Sequence, residues 1–393
     1  MNAPRVIVLC NAMDDTTRIR RGIESDSPAA SRKVFGLCSA LRRAGARPYV
    51  LSLGRGRAGG SLAYFAASAR RVNGIPTVYA PFSRLRWLSE ALSLLAPVCI
   101  AWRLAKPGRK AMIFYNREPA YVPTLLCAGL LGYRRLLDLE DGDVASGRAG
   151  MRAWISGQVH RLFDRLCDGG ALLACRALQT RTTARPVHCY YGTAEPSPQR
   201  APWQGEQVRA LLGGTLAPDT GAGILVEAIR IIRLAKPPWA RRLHVEITGK
   251  GPSLQALADL AIDGESPHVT VHGRMTDQDY RKIVSRCHIG LALKPVNGPL
   301  AQTTFPSKVV ELASAGLLVI TTDISDVREV LGDGALYLMR DDPRELVEAL
   351  RSAVEAPASA QAIAARGHES ACRRCAPTTA GLEVLDFCFG TTA

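Results

Sequence analysis

The densest group of side chains able to do chemistry lies in residues 303–316, TTFPSKVVELASAG. Pro306 suits the first turn of a helix, where a missing N–H costs nothing, and Gly316 suits its end. The amides of such a turn and the helix dipole attract an anion, and Lys308 adds a full positive charge. Glu311 follows Ser307 by four positions and Lys308 by three, so the three side chains share one helical face. A cation with backbone donors can hold a diphosphate while a carboxylate one turn deeper takes ribose hydroxyls. That is the chemistry a nucleotide sugar requires. A Lys–Glu pair on a solvated helix face is the competing reading.

A second set is acidic. Residues 135–139 read as a strand and run into Glu140, Asp141 and Asp143. Residues just past the carboxyl end of a parallel strand face the ligand crevice, and a carboxylate there can orient a hydroxyl or accept its proton. A solvated or helix-capping acidic turn is the alternative. Asn116, Arg117 and Glu118 follow another expected strand and form a second-rank set. His272 ends a strand, where a hydrogen-bonded framework imidazole fits at least as well as a ligand-facing one. Cys372 and Cys375 form one C-x-x-C; without a second pair or a suitably spaced His they read as ordinary exposed thiols. No metal motif is visible, so no cofactor and metal-independent binding are expected.

Positioning these groups takes two α/β layers in succession. Residues 5–10 (RVIVLC) are a continuous apolar run, the mark of a strand buried on both faces. Residues 31–44 place Val34, Leu37, Cys38 and Leu41 at helical spacing before Gly45. With a strand at 48–53 the chain opens strand–helix–strand, which calls for a right-handed parallel crossover. Further strands are expected at 77–79, 111–115, 171–174 and 187–190, besides 135–139. The connection 11–30 is long and polar for such a unit and marks a functional loop. Three prolines among small and polar residues in 192–207 indicate a linker. The expected division is 1–194, linker 195–207, 208–375, and a tail 376–393 packing back on the first domain. Beyond the linker the alternation restarts, with strands at 208–213, 243–248, 269–272, 289–293, 318–321 and 335–338. Helices are expected between them at 221–234, 253–261, 277–285 and 307–315, and after them at 343–354. The expected fold class is α/β, two Rossmann-like doubly wound domains facing a cleft.

Composition narrows the setting. The 393 residues are 47% hydrophobic and 22% charged, those of a soluble globular chain. Eleven scattered cysteines, several in apolar runs, read as reduced thiols. With no basic n-region or cleavage site before residues 5–10, a cytoplasmic location is expected. Residues 1–200 hold 30 Lys/Arg against 13 Asp/Glu, while 201–393 hold 20 against 22. A basic first half meets something anionic: a membrane surface, a phosphate-bearing acceptor or nucleic acid. Dispersed arginines without an aromatic-basic module argue against nucleic acid. Residues 87–104 are apolar, with Trp87 and Trp102 near the ends and basic residues on both flanks. Glu90, Pro97 and the short length argue against a membrane span. An interfacial helix on anionic lipid competes with an ordinary amphipathic helix covering the first sheet, and the second is favoured.

Four segments of the second half, in order, resemble the retaining family 4 of nucleotide-sugar glycosyltransferases, of the GT-B type. They are GGTLAPDTGAGILVEAI at 213–229, VEITGKGPSLQALA at 245–258, VTVHGRMTDQDYRKIVSRCHIGLALKP at 269–295 and FPSKVVELASAG at 305–316. The resemblance implies that Gly213, Gly214, Gly249 and Gly251 let backbone approach donor or acceptor. It places Gly273 and Arg274 at the base pocket and Glu311 on the ribose hydroxyls, and turns Glu140 and Asp141 toward acceptor or sugar. A plain tight turn is the alternative for each glycine. The chain departs from the family in two places. Thr303 stands where the first glutamate of Glu-x7-Glu is often found. Thr215 and Thr220 stand where an Arg and a Lys often hold the diphosphate, which shifts that role to Lys308, the helix N-terminus and Lys294. The implied activity is sugar transfer, with retention, from a nucleotide-diphosphate sugar to a sugar, lipid-linked or other acceptor, in polysaccharide or glycoconjugate assembly. Positioning and stabilisation of the departing diphosphate would carry catalysis, with no covalent nucleophile. A catalytically silent nucleotide-sugar-binding or scaffold protein is one alternative. A GT-B-type nucleotide-sugar epimerase is another, and needs further acidic and histidine groups that the sequence does not supply.

Overall fold

A computed structural model describes residues 3–59, 61–142, 150–193, 195–196, 203, 205–298 and 300–390. Asp143 and much of the expected linker lie outside the described residues. The chain divides into two compact units, Met1–Thr193 with Pro377–Ala393, and Ala194–Ala376.

The first unit holds β1 (Arg5–Cys10), α1 (Asp15–Arg21), α2 (Pro28–Arg43), β2 (Arg47–Ser52), β3 (Tyr64–Phe65), β4 (Ser68–Val72), β5 (Ile75–Tyr79) and β6 (Phe82–Ser83). It continues through α3 (Arg86–Leu104), β7 (Lys110–Tyr115), α4 (Val122–Leu130), β8 (Arg134–Leu139), α5 (Met151–Leu166), β9 (Ala171–Leu173) and β10 (Val187–Cys189). Its main sheet runs β10-β9-β8-β7-β1-β2-β5-β4 and is parallel except at β4. Central β1 is apolar and buried from Val6 to Cys10 because helices cover both faces. The chain passes from β1 through α2 to β2 in one direction, and from β5 through α3 to β7 and onward in the other. Right-handed crossovers therefore put α2 on one face and α3, α4 and α5 on the opposite one.

Three findings add to the expectations here. The connection 11–30, read as a functional loop, carries a helix, α1, closed by Gly22 in the left-handed region at φ 64°. That helix is polar in sequence because its anchor is Arg21, fully buried, which donates to the carbonyls of Gly54 at 2.7 Å and Ala80 at 2.8 Å. Strand β4 escapes detection because an antiparallel edge strand carries arginines in place of an apolar run. Helix α3 does cover the sheet, but not as an ordinary amphipathic helix: the residues it buries are Ser89, Ser93, Pro97 and Ala101, not its large apolar ones.

The second unit holds β11 (Val208–Thr215), α6 (Ala222–Ala235), β12 (Leu243–Lys250), α7 (Leu254–Ala258), β13 (His268–Gly273), α8 (Asp277–Arg286) and β14 (Ile289–Ala292). After these come α9 (Lys308–Ser314), β15 (Leu318–Thr322), α10 (Val327–Leu331), β16 (Ala335–Leu338), α11 (Pro343–Glu355) and α12 (Pro357–Cys375). All six strands are parallel, in the order β13-β12-β11-β14-β15-β16. The order reverses between β11 and β14, and sheets of this kind bind ligands beyond the carboxyl ends of the strands at that point. Cys372 and Cys375 both lie on α12, half-buried and buried, so they are not an exposed pair. The last helix, α13 (Pro377–Phe389), belongs to the first unit and packs on α2.

The sheet of the second unit carries a buried charge. Glu246 on β12 has no exposure and accepts from Arg209 Nη1 at 2.8 Å, Arg286 Nη2 at 2.8 Å and His272 Nε2 at 2.6 Å. Burial pushes its carboxyl up, yet the bonds from His272 and Arg286 outweigh that and hold it below the usual carboxylate range. His272 is thus a framework residue that fixes the end of β13 to β12. A carboxyl depressed on folding stabilises the fold above its unfolded pKa and loses that contribution as pH falls through the folded value. Glu246→Gln is expected to lower stability at neutral pH by about 2 kcal/mol. In urea unfolding, the gap between wild type and variant should close as the pH is lowered through the carboxylate range.

Candidate functional site

The expected donor-binding residues fall at the carboxyl edge of the second sheet. Gly213 and Gly214 lie at the end of β11, Gly249 and Gly251 flank Lys250 at the end of β12, Gly273 ends β13, and Arg274 follows it. The Lys250 carbonyl accepts from the Leu216 amide at 2.8 Å, which ties the two strand ends together. Lys294 follows β14, whose Leu291 pairs with Leu212 of β11, so it leaves the sheet beside the glycine turn.

The turn has no room for side chains. Gly214 has φ 118° and Gly249 φ 131°, in the region that favours glycine. A Cβ on Gly249 would stand 1.8 Å from the Gly214 carbonyl oxygen, and one on Gly214 would stand 3.4 Å from Lys308 Cε. The lysine stem is therefore laid against bare backbone at the strand end.

Lys308 opens α9, with Ser307 as the preceding cap residue. The expected helix 307–315 is shorter in the structure, and Pro306 stands just outside it, its carbonyl accepting from the Val309 amide at 2.8 Å. Lys308 Nζ donates to the Tyr280 hydroxyl at 2.7 Å and sits 4.4 Å from the centre of that ring. Glu311 Oε2 is 3.4 Å away, and the side chains of Lys308 and Glu311 are 18% and 31% exposed. This is not a pair on a solvated helix face. It is a half-buried ammonium between an aromatic ring, a carboxylate and a glycine turn.

Tyr280 is the residue that sequence reasoning missed. The spacing of Tyr280, Ile283 and Val284 puts it on the inner face of α8, which reads as core packing. Only the fold shows that its hydroxyl meets Lys308. Thr220 acts locally. Its hydroxyl oxygen accepts from the Ala217 amide at 3.0 Å and lies 2.7 Å from the Thr215 carbonyl oxygen, bracing the turn. Thr303 is half-buried, its amide bonded to the Leu300 carbonyl at 3.1 Å.

The acidic set lies in the first unit. Glu140 forms an ion pair with Lys33 of α2, and both side chains are largely buried. Burial pushes the Lys33 ammonium down, but Glu140 and Asp138 more than offset it and hold the pKa above its usual value. Asp138 is buried, and its carboxyl is pushed well up by burial and by Glu140. Asn116 takes up a left-handed conformation and accepts from the Glu140 amide at 2.9 Å. Arg117 is a framework residue that donates to Asp164 at 2.7 Å and to the Arg181 carbonyl at 2.9 Å. Glu140 is thus no solvated turn, while Asp141 is exposed beside it. Glu118 is half exposed, 3.9 Å from Arg55.

Residues 207–356 match the family described as glycosyl transferases group 1. Among solved structures, the Anabaena protein HepE, in a complex with UDP and glucose, is 14% identical with a TM-score of 0.66, over 97% of this chain and 98% of that one. Sucrose-phosphate synthase from Thermosynechococcus elongatus gives the same identity, TM-score and coverage. WaaG, a glycosyltransferase involved in lipopolysaccharide biosynthesis, is 13% identical with a TM-score of 0.60, over 98% of this chain and 100% of that one. At these identities the likeness shows the fold, that of GT-B glycosyltransferases. No curated protein sequence matches the chain.

Gly249→Ala tests the turn. It is expected to cost about 3 kcal/mol in urea unfolding, because left-handed strain adds to a backbone clash. Gly264→Ala, at φ 78° with open space around it, should cost about 1 kcal/mol.

Proposed function

We propose that this chain, which carries a glycosyl transferases group 1 domain, transfers a sugar from a nucleotide-diphosphate donor to an acceptor with retention. The acceptor is a sugar, lipid-linked or other hydroxyl compound of polysaccharide or glycoconjugate assembly, met on the cytoplasmic side. The observation that carries the reading is the half-buried Lys308 ammonium laid against the Gly213–Gly214 turn where the strand order reverses. A diphosphate is the ligand that such a cation and bare backbone amides accommodate. Glu311, one turn deeper, supplies acceptors for the ribose hydroxyls. Gly273 and Arg274 at the end of β13 are the proposed base pocket, and Lys294 and Ser307 are proposed further diphosphate contacts. UDP in the HepE structure and the resemblance of residues 305–316 to the retaining donor helix support the donor class and the stereochemistry.

In this reading Lys308 offsets the charge that develops on the departing diphosphate, an interaction stronger in the transition state than in the ground state. Asp141, the exposed member of the acidic set, orients the acceptor hydroxyl or takes its proton, while Glu140, tied to Lys33, shapes the loop.

Lys308→Ala is expected to lower kcat by about 100-fold, and Glu311→Ala to weaken donor binding by about tenfold with the fold intact. Thermal-shift screening against a panel of nucleotide sugars identifies the donor, and release of nucleoside diphosphate measures turnover. Unchanged donor affinity in Glu311→Ala removes the assignment. Donor binding without turnover in wild type supports a binding or scaffold protein instead.

A further inference from the structure

Helix α3 is inverted relative to a helix whose large apolar residues cover a sheet. Its buried stripe, Ser89, Ser93, Pro97 and Ala101, recurs every fourth residue and is made of small side chains. Trp87, Leu95 and Trp102 point outward, 66%, 66% and 67% exposed. No charge interrupts the sequence between Glu90 and Arg103. The helices packed in turn beside it expose large apolar residues as well, Leu130 of α4 at 92% and Trp154 of α5 at 61%. Monomeric proteins rarely leave apolar surface so concentrated in water.

Among the described residues α3 is the one helix long and apolar enough to cross a membrane. It does not read as a span, because strands of the first unit flank it in sequence at both ends and it packs against α4, β6 and β2 of that unit. A helix held flat with its apolar side outward fits the plane of a lipid interface. The tryptophans near its two ends suit the headgroup level. The charges select the lipid. Arg86, Arg103 and Lys106 are exposed at the ends of the helix, and Glu90 is paired with Arg86 at 2.9 Å. A two-fold contact between copies brings the same patch onto itself, where these cations would repel.

We propose that the α3–α4–α5 face of the first unit docks on an anionic bilayer surface. The partner is a lipid surface with acidic headgroups, and the contact does not depend on the transfer chemistry.

The test is co-sedimentation of the full chain with phosphatidylcholine vesicles, with or without phosphatidylglycerol. Binding is expected to the anionic vesicles and to weaken as salt is raised. The double variant Leu95→Glu/Trp102→Ser should lose about tenfold in bound fraction, with unchanged thermal unfolding. Arg103→Glu/Lys106→Glu should reduce binding to anionic vesicles alone. The proposal is overturned if wild type shows no preference for anionic vesicles, or if both variants bind as wild type does. It is also overturned if wild type dimerises in solution and Leu95→Glu/Trp102→Ser dissociates the dimer.

Discussion

The second unit is arranged around one ammonium group. Lys308 is held by the Tyr280 hydroxyl at 2.7 Å and by the face of that ring, with Glu311 at 3.4 Å. A charge largely withdrawn from water needs such compensation, and an aromatic face and a carboxylate provide it without enclosing the group. The stem of the same lysine lies against Gly214, whose φ of 118° favours glycine, and a Cβ there would stand 3.4 Å from it. The neighbouring turn at Gly249 must in turn leave space for the Gly214 carbonyl. Lys308 thus links α8, α9 and the end of β11.

Much of this was legible in the sequence for a definite reason. The central strands of both sheets are buried on two faces, so β1, β7, β14 and β15 hold short continuous apolar runs. Parallel topology forces helices between them, and the 3.6-residue period of 222–235 or 277–286 stands out. Lys308 and Glu311 could be placed on one helical face by counting, and the glycines by the turns they permit. What escaped detection depends on contacts distant in sequence. Tyr280 looks like core packing until α8 is seated against β11. The Glu246 network joins β12 to Arg209, His272 and Arg286 on three other elements. Helix α1 is polar along its length, and only the buried carbonyls around Arg21 explain it. Helix α3 reads as a cover for the sheet by composition, whereas burial shows that its small residues do the packing.

The first unit follows a different electrostatic logic. It carries the positive excess of the chain, while the charges it buries are met locally: Lys33 by Glu140, Arg117 by Asp164, and Arg21 by backbone carbonyls. The excess therefore lies on its surface, where it can act on anionic partners. The second unit is nearly neutral overall, and the proposed donor site draws on a few of its charges, Lys308 first among them.

The most direct test of the central claim is a crystal structure with a nucleoside diphosphate bound. Phosphate oxygens within hydrogen-bond distance of Lys308 Nζ and the glycine turn, with ribose hydroxyls on Glu311, are the predicted result. A diphosphate bound elsewhere, with Lys308 still donating to Tyr280, would contradict the account.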